Sequence, residues 1–231
     1  MGEIVFLAGA TGAIGSRLVP MLVKAGFHVH GTTRRPERQD GIRAAGATPV
    51  VVDVFDGQAL AAALRQAKPR IVIHQLTDLP FGLDPAQMEE GRIRNARLRE
   101  VGTKNLVEAA VAAGAERMIS QSIAWVYQRA EPPIMEETPL QDSAAAVRTL
   151  EALTLETPGL TGTVLRYGLL YGPATGSDTP AGPTTVHVDA AARAALLAAE
   201  RLVTGAFNIV DDGGLVSNGK AKSVLGWSPD G

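Results

Sequence analysis

The stretch Gly9-Ala10-Thr11-Gly12-Ala13-Ile14-Gly15 decides how this chain is read. It follows the apolar run Ile4-Val5-Phe6-Leu7-Ala8 and precedes a segment with Leu18, Val19, Leu22 and Val23 at helical spacing, closed by Gly26. A glycine-rich turn between a strand and a helix offers main-chain amides to a diphosphate with no side chains in the way. Gly9 permits the tight turn, Gly12 a close approach, and Gly15 the contact between helix and strand. The glycines stand three apart, so the G-x-G-x-x-G spacing is not strictly met, and an ordinary βα turn is the competing reading. Position after the first strand, with a full strand–helix–strand unit behind it, favours a dinucleotide loop made by Gly9, Thr11, Gly12, Ala13, Ile14 and Gly15.

Outward from this loop, short apolar runs alternate with helical stretches. Strands are expected at residues 29–33, 49–53, 70–74 and 117–122, and helices at 42–45, 59–67 and about 88–113. Later come a helix at 143–156 capped by Asp142 or Ser143, a strand at 163–166, a helix at 190–200 capped by Asp189, and a strand at 206–210. Residues 172–183, rich in Gly, Pro, Ser and Thr, read as a loop. Strands apolar on both faces, alternating with helices, indicate an α/β fold with a parallel sheet covered on both sides.

Composition agrees and excludes other classes. The 231 residues, 24.1 kDa, suit one large domain or a domain with a small annex. Residues of hydrophobic type make up 45% and aromatics only 4%, so Ala, Val, Leu and Ile must build the core. Lys+Arg 22 against Asp+Glu 24 gives no standing attraction for nucleic acid or an anionic membrane. With no cysteine, disulfides, thiolate metal sites and cysteine nucleophiles are excluded. Met1-Gly2-Glu3-Ile4 lacks the basic region of a signal peptide, Phe6 breaks the myristoylation pattern, and no apolar run reaches the roughly 18 residues of a membrane helix. A cytoplasmic protein is expected.

The end of the second strand bears on cofactor choice. An NAD site usually carries a carboxylate about 20 residues past the loop for the ribose 2′-hydroxyl. Here stand Thr32-Thr33-Arg34-Arg35-Pro36. Two guanidiniums suit a 2′-phosphate by charge and forked geometry, so Thr33, Arg34 and Arg35 point to NADP(H) over NAD(H), with a solvated basic turn as the alternative. Asp53 and Val54 would then flank the adenine, and Gln75, Leu76 and Thr77 would pass beneath the pyrophosphate and nicotinamide ribose.

Further segments run in order to the end of the chain: Gly102-Thr103-Lys104-Asn105-Leu106, Ser120-Gln121-Ser122-Ile123-Ala124-Trp125-Val126-Tyr127, Leu165-Arg166-Tyr167-Gly168, Tyr171-Gly172-Pro173, Val186-His187-Val188-Asp189, Phe207-Asn208-Ile209 and Leu225-Gly226-Trp227-Ser228-Pro229. With the glycine loop, they make the chain resemble the short-chain dehydrogenase/reductase superfamily, in its extended or atypical branch of NAD(P)-dependent epimerases and dehydratases. The resemblance implies a doubly wound Rossmann sheet, with an NADP-binding domain at 1–160 and, at 161–231, the last sheet strands plus a reduced C-terminal substrate lobe. It places Ser122 on the family's active-site hydroxyl and Tyr127 on a pocket-wall tyrosine.

One departure bears on chemistry. The superfamily's proton donor is Tyr in Y-x-x-x-K, whose lysine lowers the tyrosine pKa and holds the ribose. Tyr127, Tyr167 and Tyr171 are followed four residues later by Glu131, Tyr171 and Thr175, and no lysine lies between Lys104 and Lys220. Aligning Glu151 with the family's glutamate puts Ser143 and Val147 on the missing pair. Tyr167 or Tyr127 is left as a proton source, helped by Arg148 or Arg166. Loss of a general acid typically costs about 10²–10⁴ in rate. The stretch after Pro173 and that before Ser217 are also short for this family, so either the pocket is open or the sequence omits pieces of a longer polypeptide.

Other signals carry less. His28, His30, His74 and His187 lack zinc-site spacing and read as satisfied strand histidines, so no metal is expected. No G-x-S-x-G elbow occurs. Arg92, Arg94, Arg97 and Arg99 read as a solvated, ion-paired helix face, and Glu136-Glu137 as loop solvation. By analogy the long helix suits a homodimer. The expected function is an NADP(H)-dependent oxidoreductase reducing a carbonyl or oxidising a carbinol on a small polar, sugar-like substrate, with Ser122, Tyr127 and Tyr167 as catalytic candidates. An NADP(H)-binding sensor or scaffold without turnover is the alternative, and a nucleotide-sugar epimerase or dehydratase the third.

Overall fold

In the computed structural model, which describes residues 2–230, the run Ile4–Ala8 forms β1 in the middle of a parallel sheet. The other strands are β2 (His28–Thr33), β3 (Thr48–Val51), β4 (Ile71–His74), β5 (Arg117–Ile123), β6 (Thr161–Tyr167), β7 (Leu169–Tyr171), β8 (Thr185–His187) and β9 (Gly205–Ile209). The main sheet has the order β3-β2-β1-β4-β5-β6-β9, while β7 and β8 pair separately. Strand order reverses at β1, leaving a crevice at the carboxyl ends of β1 and β4, where open α/β sheets bind ligands. The parallel sheet is the one that the alternation implied, and its order is the doubly wound Rossmann arrangement that the resemblance implied.

The helices are α1 (Gly15–Lys24), α2 (Gln39–Ala44), α3 (Gly57–Ala67), α4 (Met88–Arg97), α5 (Thr103–Ala112), α6 (Ala145–Leu155) and α7 (Val188–Glu200). Alternate strand residues point to opposite layers. Val5, Leu7, Ile71 and Ile73 meet Leu18, Val19 and Leu22 of α1 and the alanines of α7. Phe6, Ala8, Val72 and Met118 meet Leu60 and Leu64 of α3 and Leu106 and Val107 of α5. Burial on both faces is why the strands read as unbroken apolar runs. Alanines 191, 194, 195 and 198 keep α7 thin enough to lie close on the sheet beside α1. The Trp227 indole, buried against this layer, donates to the Ala190 carbonyl at 2.8 Å.

Several expectations shift in detail. The expected helix at 88–113 is α4 and α5 joined through a π-helical turn, Leu98–Gly102. The expected helix at 143–156 begins as a 3₁₀ turn, Asp142–Ala144, and neither Asp142 nor Ser143 caps it with its side chain. Helix α7 starts at Val188, and its cap is His187 instead of Asp189: the ring Nδ1 accepts from the Asp189 amide at 3.3 Å. Asp189 is drawn off by Arg17 of α1, 2.5 Å away. No helix among the described residues is long and apolar enough to cross a membrane.

Candidate functional site

The turn after β1 is shaped by what surrounds it. Gly9 sits at φ +96°, and a Cβ there would come 2.8 Å from the Gln75 carbonyl oxygen at the end of β4. A Cβ on Gly15 would come 2.0 Å from the Gly9 carbonyl oxygen, whereas one on Gly12 would meet nothing closer than 3.5 Å. Thr32 Oγ1 accepts from the Gly9 amide at 3.1 Å, tying the loop to β2. Among the described residues, the amides of Thr11, Ala13 and Ile14 have no acceptor, and no side chain caps α1. The loop therefore presents free N–H groups and the positive end of a helix dipole.

These groups open onto a cleft of about 1360 Å³. Single small-ligand pockets span about 300–1,000 Å³, so there is room for a dinucleotide and a second molecule. The cleft runs over Gly9, Thr11, Gly12, Ala13 and Ile14, then Thr33, Arg34 and Arg35, then Val54, then Gln75, Leu76 and Thr77, and reaches Ser122 and Tyr167. It does not reach Gly15, which packs behind the loop. Asp53 is also off the wall; its Oδ1 accepts from the Phe55 amide at 2.9 Å and shapes the turn instead of facing the cleft. Arg38 and Trp125, given no part in the site by the sequence reading, also line it, as does Arg99, which that reading placed on a solvated face.

The basic end has its own counter-charge. Arg34 Nη1 lies 3.8 Å and Arg94 Nε 3.6 Å from the two oxygens of Asp78. Arg35 and Arg38 have no ion-pair partner among the described residues, and the Arg35 amide donates to Thr33 Oγ1 at 3.1 Å. The arginine face expected to be solvated is divided: Arg94 pairs with Asp78 and Glu90, Arg97 stacks on Phe55 at 4.5 Å, and Arg92 and Arg99 turn to the cleft.

At the other end, β5 carries Ser122, 2% exposed. Its hydroxyl donates to Glu151 Oε1 at 2.6 Å. Arg166 on β6 holds the same carboxylate with Nε at 2.9 Å and Nη2 at 2.6 Å. An ionised carboxylate accepts only, so the Ser122 proton is committed to Glu151 and its lone pairs face the cleft. Arg166 Nη1 also donates to the Tyr127 hydroxyl at 2.8 Å, and that hydroxyl donates to Asn208 Oδ1 at 2.5 Å. Tyr127 therefore lies behind the wall, its pKa raised by burial that outweighs the opposing Arg166, and it is not placed to hand on a proton.

Tyr167 does line the cleft, and its hydroxyl accepts from Gln75 Nε2 at 3.4 Å. Burial pushes this phenol far up, only partly opposed by the Gln75 bond, which makes it a reluctant acid. Arg148 assists neither tyrosine: it donates to the carbonyls of Gln141 and Asp142 on the preceding turn. Ser143 and Val147, on the positions of the missing pair, both line the cleft. The Glu136 reading needs correction, because this side chain is buried and its Oε1 accepts from the Asn208 amide at 2.8 Å. His74 is buried and neutral, its pKa lowered to about 4 by burial and, secondarily, by Arg99. Its Nδ1 accepts from the Leu76 amide at 3.2 Å, so Nε2 carries the proton to Thr103 Oγ1 at 3.0 Å and the β4 loop is held in place.

Comparison with known proteins follows the same line. The model of the NAD(P)H-binding family matches residues 9–199. The chain is 39% identical over 237 residues to a Streptomyces 3-diazoavenalumate denitrifying reductase, covering 90% of this chain and 76% of that one. It is 34% identical over 134 residues to cinnamoyl-CoA reductase 1 of Petunia hybrida, covering 54% and 37%. Among solved structures, UDP-glucose 4-epimerase of Thermotoga maritima superposes with TM-score 0.79 at 20% identity, over 98% of this chain and 94% of that one. UDP-N-acetylglucosamine 4-epimerase of Bacillus cereus gives 0.77 at 20% identity, over 100% and 94%. At that identity the two epimerases speak for the fold.

Proposed function

This chain belongs to the NAD(P)H-binding family, and from that premise we propose that it is an NADPH-dependent reductase whose substrate takes a hydride without needing a proton from the enzyme. One observation carries the reading: Ser122 has its only hydroxyl proton committed to Glu151, in a cleft whose one lining tyrosine among the described residues, Tyr167, is held protonated by burial. No lysine stands within reach of either in sequence.

The residues present fit a dinucleotide. Free amides at Thr11, Ala13 and Ile14 suit the diphosphate, and Gly12 leaves room for its approach. Arg35 and Arg34 suit a 2′-phosphate, and Val54 suits the adenine face. Gln75 Oε1, buried without a partner among the described residues, suits a donor on the ribose or carboxamide, with Leu76 and Thr77 beside it. Bound there, the cofactor supplies a hydride. The chain's own part is to orient the acceptor, with Ser122 accepting a hydrogen bond from a hydroxyl or amine of the substrate.

An aryl diazonium centre is an acceptor of this kind, and the Streptomyces relative is named for a diazo compound. In R–N₂⁺ + H⁻ → R–H + N₂, a bond to hydrogen forms, the C–N bond breaks and its electron pair leaves with nitrogen. No alkoxide results, so no proton donor is needed. Carbonyl reduction is the second reading, favoured by Ser143: it lines the cleft, its hydroxyl has among the described residues a single bond, to Gln141 Oε1 at 3.4 Å, and it can pass a solvent proton.

The test mixes protein, NADPH and an ortho-hydroxybenzenediazonium salt without oxygen. Nitrogen release matching NADPH loss, faster than the protein-free control, with deuterium from labelled NADPH at the vacated carbon, is expected. Turnover of aldehydes and ketones but not of the diazonium salt would move the assignment to the second reading.

A further inference from the structure

The π-helical turn Leu98–Gly102 between α4 and α5 accommodates one extra residue in the ladder, and such turns concentrate at functional sites. Within it Leu98 is buried, and Arg99, on the same side of the helix as Arg92, Asn95 and Ala96, stands on the cleft wall. Arg99 is half-buried, and among the described residues its guanidinium has no hydrogen bond and no ion pair. The carboxylate whose field reaches it, Glu151, is already taken by Arg166 and Ser122. His74, its other charged neighbour in principle, is neutral. Burial outweighs the opposing field of Glu151 and lowers the Arg99 pKa from the usual arginine range. A partly desolvated guanidinium without a counter-ion is unfavourable until an anion joins it.

The surroundings say what the anion is attached to. Trp125, 45% exposed, and Val126 and Val147 line the same cleft, and α6, which carries Val147, packs on the π-helical turn. These are apolar walls suited to a flat body, and the guanidinium fork matches a carboxylate in two parallel hydrogen bonds. The arginines that follow β2 (Arg34, Arg35 and Arg38) stand on a different element, beside Asp78 in the case of Arg34. We infer that Arg99 anchors a carboxylate of the substrate, so that the cleft selects small aryl or conjugated acids in their anionic form. This rests on the reductase reading and names its substrate class.

Calorimetric titration of the full chain with cinnamate and with cinnamamide, each with and without NADPH, tests it. Wild-type protein is expected to bind the acid about 10- to 100-fold more tightly than the amide, as a charge-assisted pair would give. Arg99→Met abolishes that preference, Arg99→Lys keeps part of it, and NADPH affinity stays within about twofold in both. Equal binding of acid and amide by the wild type, or an intact preference in Arg99→Met, overturns the inference. So does a large loss of NADPH affinity in Arg99→Met, which would assign the guanidinium to the dinucleotide. A protein that selects cinnamate through Arg99 yet takes no NADPH would overturn the reductase reading and leave this anchor standing.

Discussion

Glu151 of α6 and Arg166 of β6 form a bidentate pair, with both carboxylate oxygens held by one guanidinium at 2.6 and 2.9 Å. Both side chains are buried, and Ser122 completes the carboxylate's bonding. The pair joins helix to sheet and also sets the polarity of the serine at the cleft floor.

Breaking this pair strands a buried charge. Glu151→Ala is expected to lower stability by about 3–5 kcal/mol in urea unfolding. Replacing both partners with apolar residues of similar volume costs less than the single change. A Glu151→Ala protein as stable as the wild type would show that solvent reaches Arg166.

The loop glycines separate folding from binding. Gly15→Ala drives a methyl into the Gly9 carbonyl and is expected to lower the melting temperature. Gly12→Ala meets nothing closer than 3.5 Å, so it keeps the wild-type melting temperature while its methyl enters the cleft and weakens NADPH binding, read by fluorescence titration. The idea fails if Gly12→Ala binds as the wild type does.

On the proposed reading, Arg35 would select the 2′-phosphate, since Arg34 is shared with Asp78. Arg35→Ala should weaken NADPH by about tenfold, the size of one charge-assisted hydrogen bond, and leave NADH unchanged. Equal effects on both nucleotides would remove the 2′-phosphate argument.

His74 ties stability to pH. Its folded pKa of about 4 lies below the ordinary histidine value of 6.5, so the unfolded chain binds more protons between them. The stability is complete above about pH 6.5 and is lost as the pH falls toward 4. His30, also lowered by burial and by His28, adds in the same direction. Urea midpoints measured from pH 7 to pH 5 should fall, and His74→Gln should flatten the slope. An unchanged slope in that variant would mean that His74 is not the group responsible.

What could be read in advance was local. The glycine turn, the apolar strands and the break at Gly26 depend on neighbours a few residues apart, and they were legible. Glu136 looked like a solvated loop residue because its partner, Asn208, lies 72 residues further on. Tyr127 looked available because its acceptor is 81 residues away, in β9. Arg99 was grouped with a solvated face, although its spacing from Arg92, Asn95 and Ala96 puts all four on one side of the helix, the side that lines the cleft. Glu151 had a visible sign: a carboxylate on the helix face shared with Val147, Leu150 and Thr154 needs a buried partner.

The Gly9 turn is pressed against the end of β4, although residue 75 is synthesised long after residue 9. The cradle is thus a product of the finished sheet, and a nascent fragment ending before β4 has half a socket and nothing to fill it. Nucleotide then acts as a thermodynamic referee, favouring completed molecules by mass action. Supplying it during refolding should raise the yield of intact protein, while the same addition leaves the amino-terminal fragment as unstructured as before.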